Sequence, residues 1–199
     1  MMGENKKELL FATNNAHKLE EIQKMVPAGY LVKGLKEKGI NEEIPEPYQT
    51  IEENAVAKAK YIFEKYNLTC FADDTGLEVE ALDGAPGVYS ARYAGDQCSA
   101  EDNIEKLLHE LEGAENRKAC FRTVIAYYAP GKTELFEGKV NGTITQSREG
   151  IKGFGYDPIF KPDNYTETFA EMELTEKNKI SHRSRSLAKF IEFLKSSNI

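Results

Sequence analysis

The run ACFRTVIAYYAPGKTELFEGKV, residues 119–140, decides the fold class. Ala119 to Tyr128 and Thr133 to Val140 are rich in β-branched and aromatic residues. Pro130-Gly131 supplies a turn between them, so the two read as an antiparallel pair. Around this hairpin, strands and helices interleave. Glu8 to Ala12 reads as a first strand, about His17 to Met25 as a helix and Tyr30 to Leu35 as a second strand. The Pro-containing segment Asn41 to Gln49 is a loop. Thr50 opens a helix to about Tyr66, with Glu53 three residues on in a capping-box pattern. Leu68 to Ala72 is a short apolar strand ending on Asp73-Asp74-Thr75-Gly76, and Leu77 to Leu82 alternates apolar and acidic residues like a strand with one wet face. Ser99 caps a helix with Ile104, Leu107, Leu108 and Leu111 on one face and Gly113 placed to end it. A last helix carries Leu187, Phe190, Ile191 and Leu194 at i, i+3, i+4 and i+7. With a hairpin among interleaved elements, the fold class is α/β with a mixed sheet.

At 199 residues the chain suits one compact domain, with room for two lobes. No internal repeat, low-complexity tract or long linker divides it. Its 40% apolar and 30% charged residues are ordinary for a soluble enzyme. No apolar run approaches the roughly 18 residues of a membrane span. The start, Met1 to Glu8, is polar, Leu9 to Ala12 is too short for a signal-peptide core, and Gly3 does not fit the myristoylation pattern. Cys70, Cys98 and Cys120 are odd in number, widely spaced and without a C-x-x-C pair. They read as reduced, buried thiols of a cytoplasmic protein rather than a disulfide framework or zinc site. A net charge of −7 argues against general nucleic-acid binding. A small anion needs only a local group of cations, so what matters is where lysines and arginines converge.

Four polar clusters lie at the ends of elements. In Thr13-Asn14-Asn15-Ala16-His17-Lys18, a strand-to-helix turn offers backbone N–H groups, a helix N-terminus and a cation to a phosphate; the alternative is an ordinary N-cap beside a solvated lysine. Asp73-Asp74-Thr75-Gly76 places two carboxylates together, which is costly without a compensating cation. Alternation sends them to opposite faces, so one faces the substrate, and magnesium is the expected partner. An Asx-type turn with Gly76 at an unusual backbone angle is the competing reading. Gly153-Phe154-Gly155-Tyr156-Asp157-Pro158 lets backbone approach a flat ring, with Phe154 or Tyr156 to stack on a base, or else is a tight loop around a core aromatic. From Lys177 to Lys189 there are five Lys/Arg residues and no acid. Ser181 can cap the following helix and leave His182 and Arg183 at its positive end, or the run is a solvated basic face.

No P-loop pattern occurs, and the glycine spacing is not the dinucleotide fingerprint. His17, His109 and His182 lack metal-ligand spacing, and His109 reads as a surface residue. Glu78 and Glu80 read as the wet face of a strand. Asp73-Asp74 lacks the one-residue spacing of an aspartyl-phosphate D-x-D pair.

In this order the clusters closely resemble the inosine triphosphate pyrophosphatase family, also called Ham1-like or RdgB-like. The stretches that carry the resemblance are FATNNAHKLEEI (11–22), FADDTGLEVEALDGAPGVYSARYAG (71–95), GFGYDPIF (153–160) and EKNKISHRSRSL (176–187). The resemblance implies a single two-lobed domain over 1–199, a long central mixed sheet flanked by helices, a cleft between lobes and usually a homodimer. It implies magnesium-dependent hydrolysis of ITP, dITP and XTP to the monophosphate and diphosphate, a removal of damaged purine nucleotides. Thr13, Asn14, Asn15, Ala16, His17 and Lys18 would hold the phosphates. Asp74 would be the catalytic base and a magnesium contact, and Thr75 would touch substrate through its hydroxyl. Glu46, in Pro45-Glu46-Pro47-Tyr48-Gln49, matches a metal-binding glutamate, although Gln49 replaces the usual glycine. Lys58 matches a phosphate-binding lysine. Phe154, Gly155, Tyr156 and Asp157 would line the base pocket, and Lys177, His182 and Arg183 would complete the site. Asn14 stands where glycine is frequent, asparagine being next-best for a left-handed backbone, and Ser184 stands where many relatives have glycine.

On this reading Lys18, Lys58, Lys177 and Arg183, with magnesium, offset the charge of a triphosphate. Asp74 orients or deprotonates the attacking water. Selectivity for hypoxanthine or xanthine needs a donor opposite the 6-oxo group, from backbone N–H groups, His182 or Arg183. Two rivals stand beside it: a pyrophosphatase of similar fold for another nucleotide, and a nucleotide sensor without turnover.

Overall fold

The structure, a computed structural model, describes residues 6–96 and 99–197. Along the chain run β1 (Lys7–Phe11), α1 (Ala16–Met25), β2 (Tyr30–Gly34), α2 (Ile51–Tyr66), β3 (Cys70–Val79) and β4 (Pro86–Gly87). They are followed by α3 (Ala100–Glu110), β5 (Lys118–Ala129), β6 (Lys132–Ile144), β7 (Phe160–Pro162), α4 (Leu174–Ile180) and α5 (His182–Ser196). The strands lie in the order β2-β1-β3-β5-β6-β7, with β4 on β3. Only Pro130 and Gly131 separate β5 from β6, so these neighbours run antiparallel. Gly131 makes the turn with φ of 69°. β1 pairs in parallel with β2 and β3, whereas β4 and β7 pair antiparallel with β3 and β6. The sheet is therefore mixed.

Two compact units share the chain. The first comprises Met1–Asp74, Val124–Glu137 and Arg183–Ile199. Its core takes Leu187, Phe190, Ile191 and Leu194 from α5, the face expected from their spacing, and sets Phe190 against Phe71. Phe71 in turn stacks on Phe11 at 4.6 Å. A further group, Leu10, Leu35, Ile40, Ala59, Ile62 and Ala72, seats α2. The second unit, Thr75–Thr123 and Gly138–His182, buries Ile104, Leu107 and Leu111 of the α3 region with Leu77, Val79 and Phe160. Ser99 caps α3 as expected and closes a full capping box with Asp102.

Several expectations need correction. Asp73-Asp74-Thr75-Gly76 does not end a strand; β3 runs straight through it and closes at Val79, with Glu80–Leu82 a 3-10 turn. Gly76 has no positive φ, so the turn reading fails. The carboxylates stay on the ladder because each meets a cation, as described below. α4 was not foreseen: it has seven residues, and Glu173 before it provides no side-chain cap. Cys70 is buried, with its thiol donating to Ala59 O at 3.3 Å, whereas Cys120 is only half-buried and Cys98 lies outside the described residues. His109 is exposed, and Glu78 faces Arg122 at 3.7 Å. Among the described residues, no helix is long and apolar enough to cross a membrane.

Candidate active site

In the first unit, the turn after β1 is built by its own side chains. Asn15 caps α1, its Oδ1 accepting from Lys18 N at 3.1 Å, and Thr13 Oγ1 accepts from Asn15 N at 3.2 Å. The capping half of the bland reading therefore holds, but the solvated lysine does not. Lys18 is 16% exposed at its side chain, and Nζ lies 2.9 Å from Asp73 Oδ1. Asn14 takes no positive φ; its amide instead donates to Glu42 O at 2.7 Å, which fixes the turn without a left-handed residue. Asn14, Asn15, Ala16 and His17 are exposed.

β3 alternation sends Asp73 and Asp74 to opposite faces, and the fold supplies each with its own counter-charge. Asp73 Oδ2 lies 3.2 Å from Arg183 Nε, while Oδ1 holds Lys18. Arg183, 1% exposed at its side chain, also reaches Glu21 of α1 at 2.5 Å. Glu21 escaped the sequence reading; its signal was an acid three residues after Lys18, beside buried Ile22 on the inner face of α1. Burial alone would raise the Asp73 carboxyl, but Lys18, Arg183 and Lys58 together hold it well below the usual range. Burial draws the Lys18 ammonium below its ordinary value, with Asp73 opposing.

Asp74 meets Lys58 of α2 at 3.0 Å, and the same ammonium lies 2.5 Å from Glu46 Oε1. Burial raises the Asp74 carboxyl above its ordinary value, against the pull of Lys58 and Lys18. Burial works against the Lys58 charge too, yet Asp74, Glu46 and Asp73 outweigh it and raise its pKa. Glu46 and Asp74 converge on one ammonium, and these are the two carboxylates that could hold a divalent cation. The described residues hold no group of three or more His, Cys, Asp or Glu side chains that could bind a metal. A two-carboxylate donor set fits magnesium, which completes its octahedron with water and substrate phosphate oxygens.

In the second unit, the Gly153–Asp157 loop folds around one carboxylate. Asp157 Oδ2 accepts from Phe154 N at 2.9 Å and from Lys177 Nζ at 2.7 Å, with both charged side chains buried. Gly153 has φ of 76°, and a Cβ there would run into the Asp157 carboxylate, so only glycine fits. Lys177 Nζ lies 5.2 Å from the Phe154 ring centre and 5.5 Å from that of Phe169. Phe154 is half-buried, whereas Tyr156 belongs to the core and donates its hydroxyl to Ser90 O at 2.9 Å. Of the two aromatics expected to stack on a base, Tyr156 is thus engaged in packing. His182 is buried and stacks on Phe121, ring centres 4.6 Å apart. The Thr75 and Thr123 hydroxyls lie 2.7 Å apart.

The first unit thus gathers Thr13 to Lys18, Glu46, Lys58, Asp74 and Arg183, and the second carries Thr75, Phe154 to Asp157, Lys177 and His182. A model of the Ham1 family matches residues 9–193. A dITP/XTP pyrophosphatase of Flavobacterium johnsoniae is 51% identical over 186 residues, 94% of this chain and 97% of that protein. One from Porphyromonas gingivalis is 51% identical over 187 residues, 94% and 96% of the two chains. Among solved structures, the Staphylococcus aureus Ham1 protein superposes with a TM-score of 0.86 at 41% identity, covering 96% of this chain and all 100% of its own.

Proposed function

The chain belongs to the Ham1 family, and on that premise we propose that it hydrolyses deaminated purine nucleoside triphosphates (dITP, XTP and ITP) to the monophosphate and diphosphate. The observation that carries this reading is the buried carboxylate pair on β3, with Asp73 on Lys18 and Arg183 and Asp74 on a lysine shared with Glu46. Three cations, Lys18, Lys58 and Arg183, meet four carboxylates here, Glu21, Glu46, Asp73 and Asp74, so the cluster accepts a triphosphate together with a divalent cation that offsets the charge.

The phosphates are assigned to the Thr13–Lys18 turn and Lys58, at the N-terminus of α1, where an anion is favoured. Glu46 and Asp74 would hold the magnesium, which when bound offsets charge on the substrate oxygens. Asp74 would orient or deprotonate the attacking water. The water oxygen bonds to phosphorus, the bond to the leaving phosphate oxygen breaks, and diphosphate departs. Thr75 contacts the substrate through its hydroxyl. Phe154 offers a face to the base, and Gly155, Tyr156 and Asp157 shape its pocket. Lys177 and His182 complete the site, with Arg183 acting by fixing Asp73. A donor opposite the 6-oxo group accepts hypoxanthine or xanthine and leaves the amino group of adenine unpaired.

A nucleotide panel with diphosphate detection tests the proposal. ITP, dITP or XTP with magnesium is expected to turn over at least about tenfold more efficiently than GTP or ATP. Equal rates on all would refute the substrate class, and release of orthophosphate would refute the bond assignment. The same proposal carries one catalytic domain over residues 1–199, a homodimer and a cytoplasmic location; light scattering of the purified chain tests the dimer.

A further inference from the structure

We propose that Glu42 is a positioning residue for Glu46, tying the loop that carries this metal-binding carboxylate to α2 and to the phosphate turn. The inference rests on the reading that Glu46 and Asp74 share the magnesium. Residues 41–50 form no helix or strand, so the backbone around Glu46 has no ladder to hold it. Its place is set by side chains, and they come from one stripe of α2. Asn54, Lys58, Tyr61 and Lys65 follow one another at spacings of four, three and four residues, which align on one helix face.

The four positions on that stripe hold three parts of the loop. Asn54, buried, closes two bonds on Tyr48, accepting from its N–H at 2.9 Å and donating to its carbonyl at 3.0 Å. Lys58 grips Glu46 itself. On the other side, Glu42 Oε2 accepts from Tyr61 Oη at 2.8 Å and from Lys65 Nζ at 2.6 Å, and Oε1 accepts from Tyr66 Oη. The Glu42 carbonyl takes the Asn14 amide at 2.7 Å, so this residue also joins the turn assigned to the phosphates.

A lone surface ion pair would do little here. Glu42 instead meets one ammonium and two phenols, and the phenol rings back the ammonium at 5.4 and 5.6 Å. Lys58 offsets the repulsion between Glu46 and Asp74, and Glu42 adds a second hold on the loop that carries Glu46. Tethering on both sides lowers the ordering cost that a metal ion would otherwise meet on binding.

The test compares Glu42→Ala with Glu46→Gln in the full-length enzyme. Glu42→Ala is expected to raise the magnesium concentration for half-maximal turnover about tenfold. At saturating magnesium, kcat stays within about twofold of the parent, as expected when only ligand binding is weakened. Binding of Mn²⁺ with a non-hydrolysable imidotriphosphate, followed by electron paramagnetic resonance, weakens in parallel. Without metal or nucleotide, amide exchange accelerates at Glu43, Ile44 and Glu46 while Tyr48 stays protected by Asn54. A folded Glu42→Ala with unchanged metal dependence overturns the proposal, as does a kcat loss that magnesium does not restore. If Glu46→Gln leaves the metal dependence unchanged, the reading of Glu46 fails and takes this inference with it. If Glu46→Gln shifts it and Glu42→Ala does not, the positioning role alone fails. Should Glu42→Ala not fold, Tyr66→Phe removes one donor and keeps the carboxylate. A smaller shift in the same direction is then expected, and no shift overturns the proposal.

Discussion

Replacing Asp73 and Asp74 in turn by asparagine should separate stability from turnover in two adjacent residues. The Asp73 side chain is 1% exposed between Lys18 and Arg183. Asp73→Asn removes the charge and leaves two cations facing each other, and stranding a buried charge typically costs about 3–5 kcal/mol. Arg183 keeps Glu21, and Lys18 is partly exposed, so the lower end applies, about 3 kcal/mol. For a chain of this length that lowers Tm by roughly 6–12 °C. Asp74→Asn differs because Lys58 retains Glu46, and burial already disfavours the ionised Asp74. Its stability is expected within about 1 kcal/mol of the parent, while turnover is abolished and nucleotide binding persists. The pH dependence follows from the opposite shifts. Asp73 has its carboxyl lowered from 3.8, so its contribution is present above that value and lost as pH falls below it. The gap between parent and Asp73→Asn therefore narrows in acid. Asp74, with its carboxyl raised, gives no such gain. Urea and thermal unfolding of the two variants, with diphosphate release alongside, is the assay. Equal stability losses, or an Asp73→Asn as stable as the parent, would refute the assignment of separate counter-charges.

Further outcomes can be checked independently. Gly153→Ala should strain a φ of 76° and push on the Asp157 carboxylate, costing about 1–3 kcal/mol and raising KM for nucleotide, read by unfolding and initial rates. Lys65, Tyr66 and Tyr61 hold the Glu42 carboxyl down to about 2, so its tether is complete above the ordinary 4.5 and lost as pH falls through about 2. Carbon-13 titration should place the midpoint there, and Lys65→Met should move it upward; a midpoint near 4.5 in the parent would contradict the anchor. Burial pushes the Cys70 thiol up to about 12, so in the native protein it should resist a thiol reagent that modifies the unfolded chain. Thr123→Val should lower turnover by loosening the Thr75 hydroxyl 2.7 Å away; unchanged kinetics would show that Thr75 needs no such partner.

What could be read in the sequence was what is local. The 119–140 hairpin announced itself because its turn and strands adjoin, and the α5 face because its apolar residues repeat at helical spacing. The Thr50 and Ser99 caps sit within three residues of the groups they satisfy. The fate of Asp73-Asp74-Thr75-Gly76 was not local. An isolated reading gives two adjacent acids and a glycine good reason to turn outward into water. They stay inside β3 because Lys18 and Arg183 arrive from 55 residues before Asp73 and 110 after it, and Lys58 from 16 before Asp74.

The same distance explains which site residues went unnoticed. Glu21, Glu42 and Asn54 each look like ordinary polar residues of a helix or loop. Glu21 acts on Arg183 and Glu42 on Tyr61 and Lys65, all distant along the chain, while Asn54 reaches back six residues to Tyr48. Motif reading finds residues whose type is dictated by the reaction, such as a base or a phosphate-binding cation. It passes over those whose type is dictated by what they hold, since a carboxylate that fixes an arginine and one that only meets water are the same letter. Tyr156 shows the converse: its place in the motif suggested stacking on a base, but its hydroxyl and ring are taken by Ser90 and the core. Phe154 is the half-buried aromatic of this loop, beside Lys177. Phe154→Ala should therefore weaken nucleotide binding with little loss of stability, and Tyr156→Phe should do the reverse.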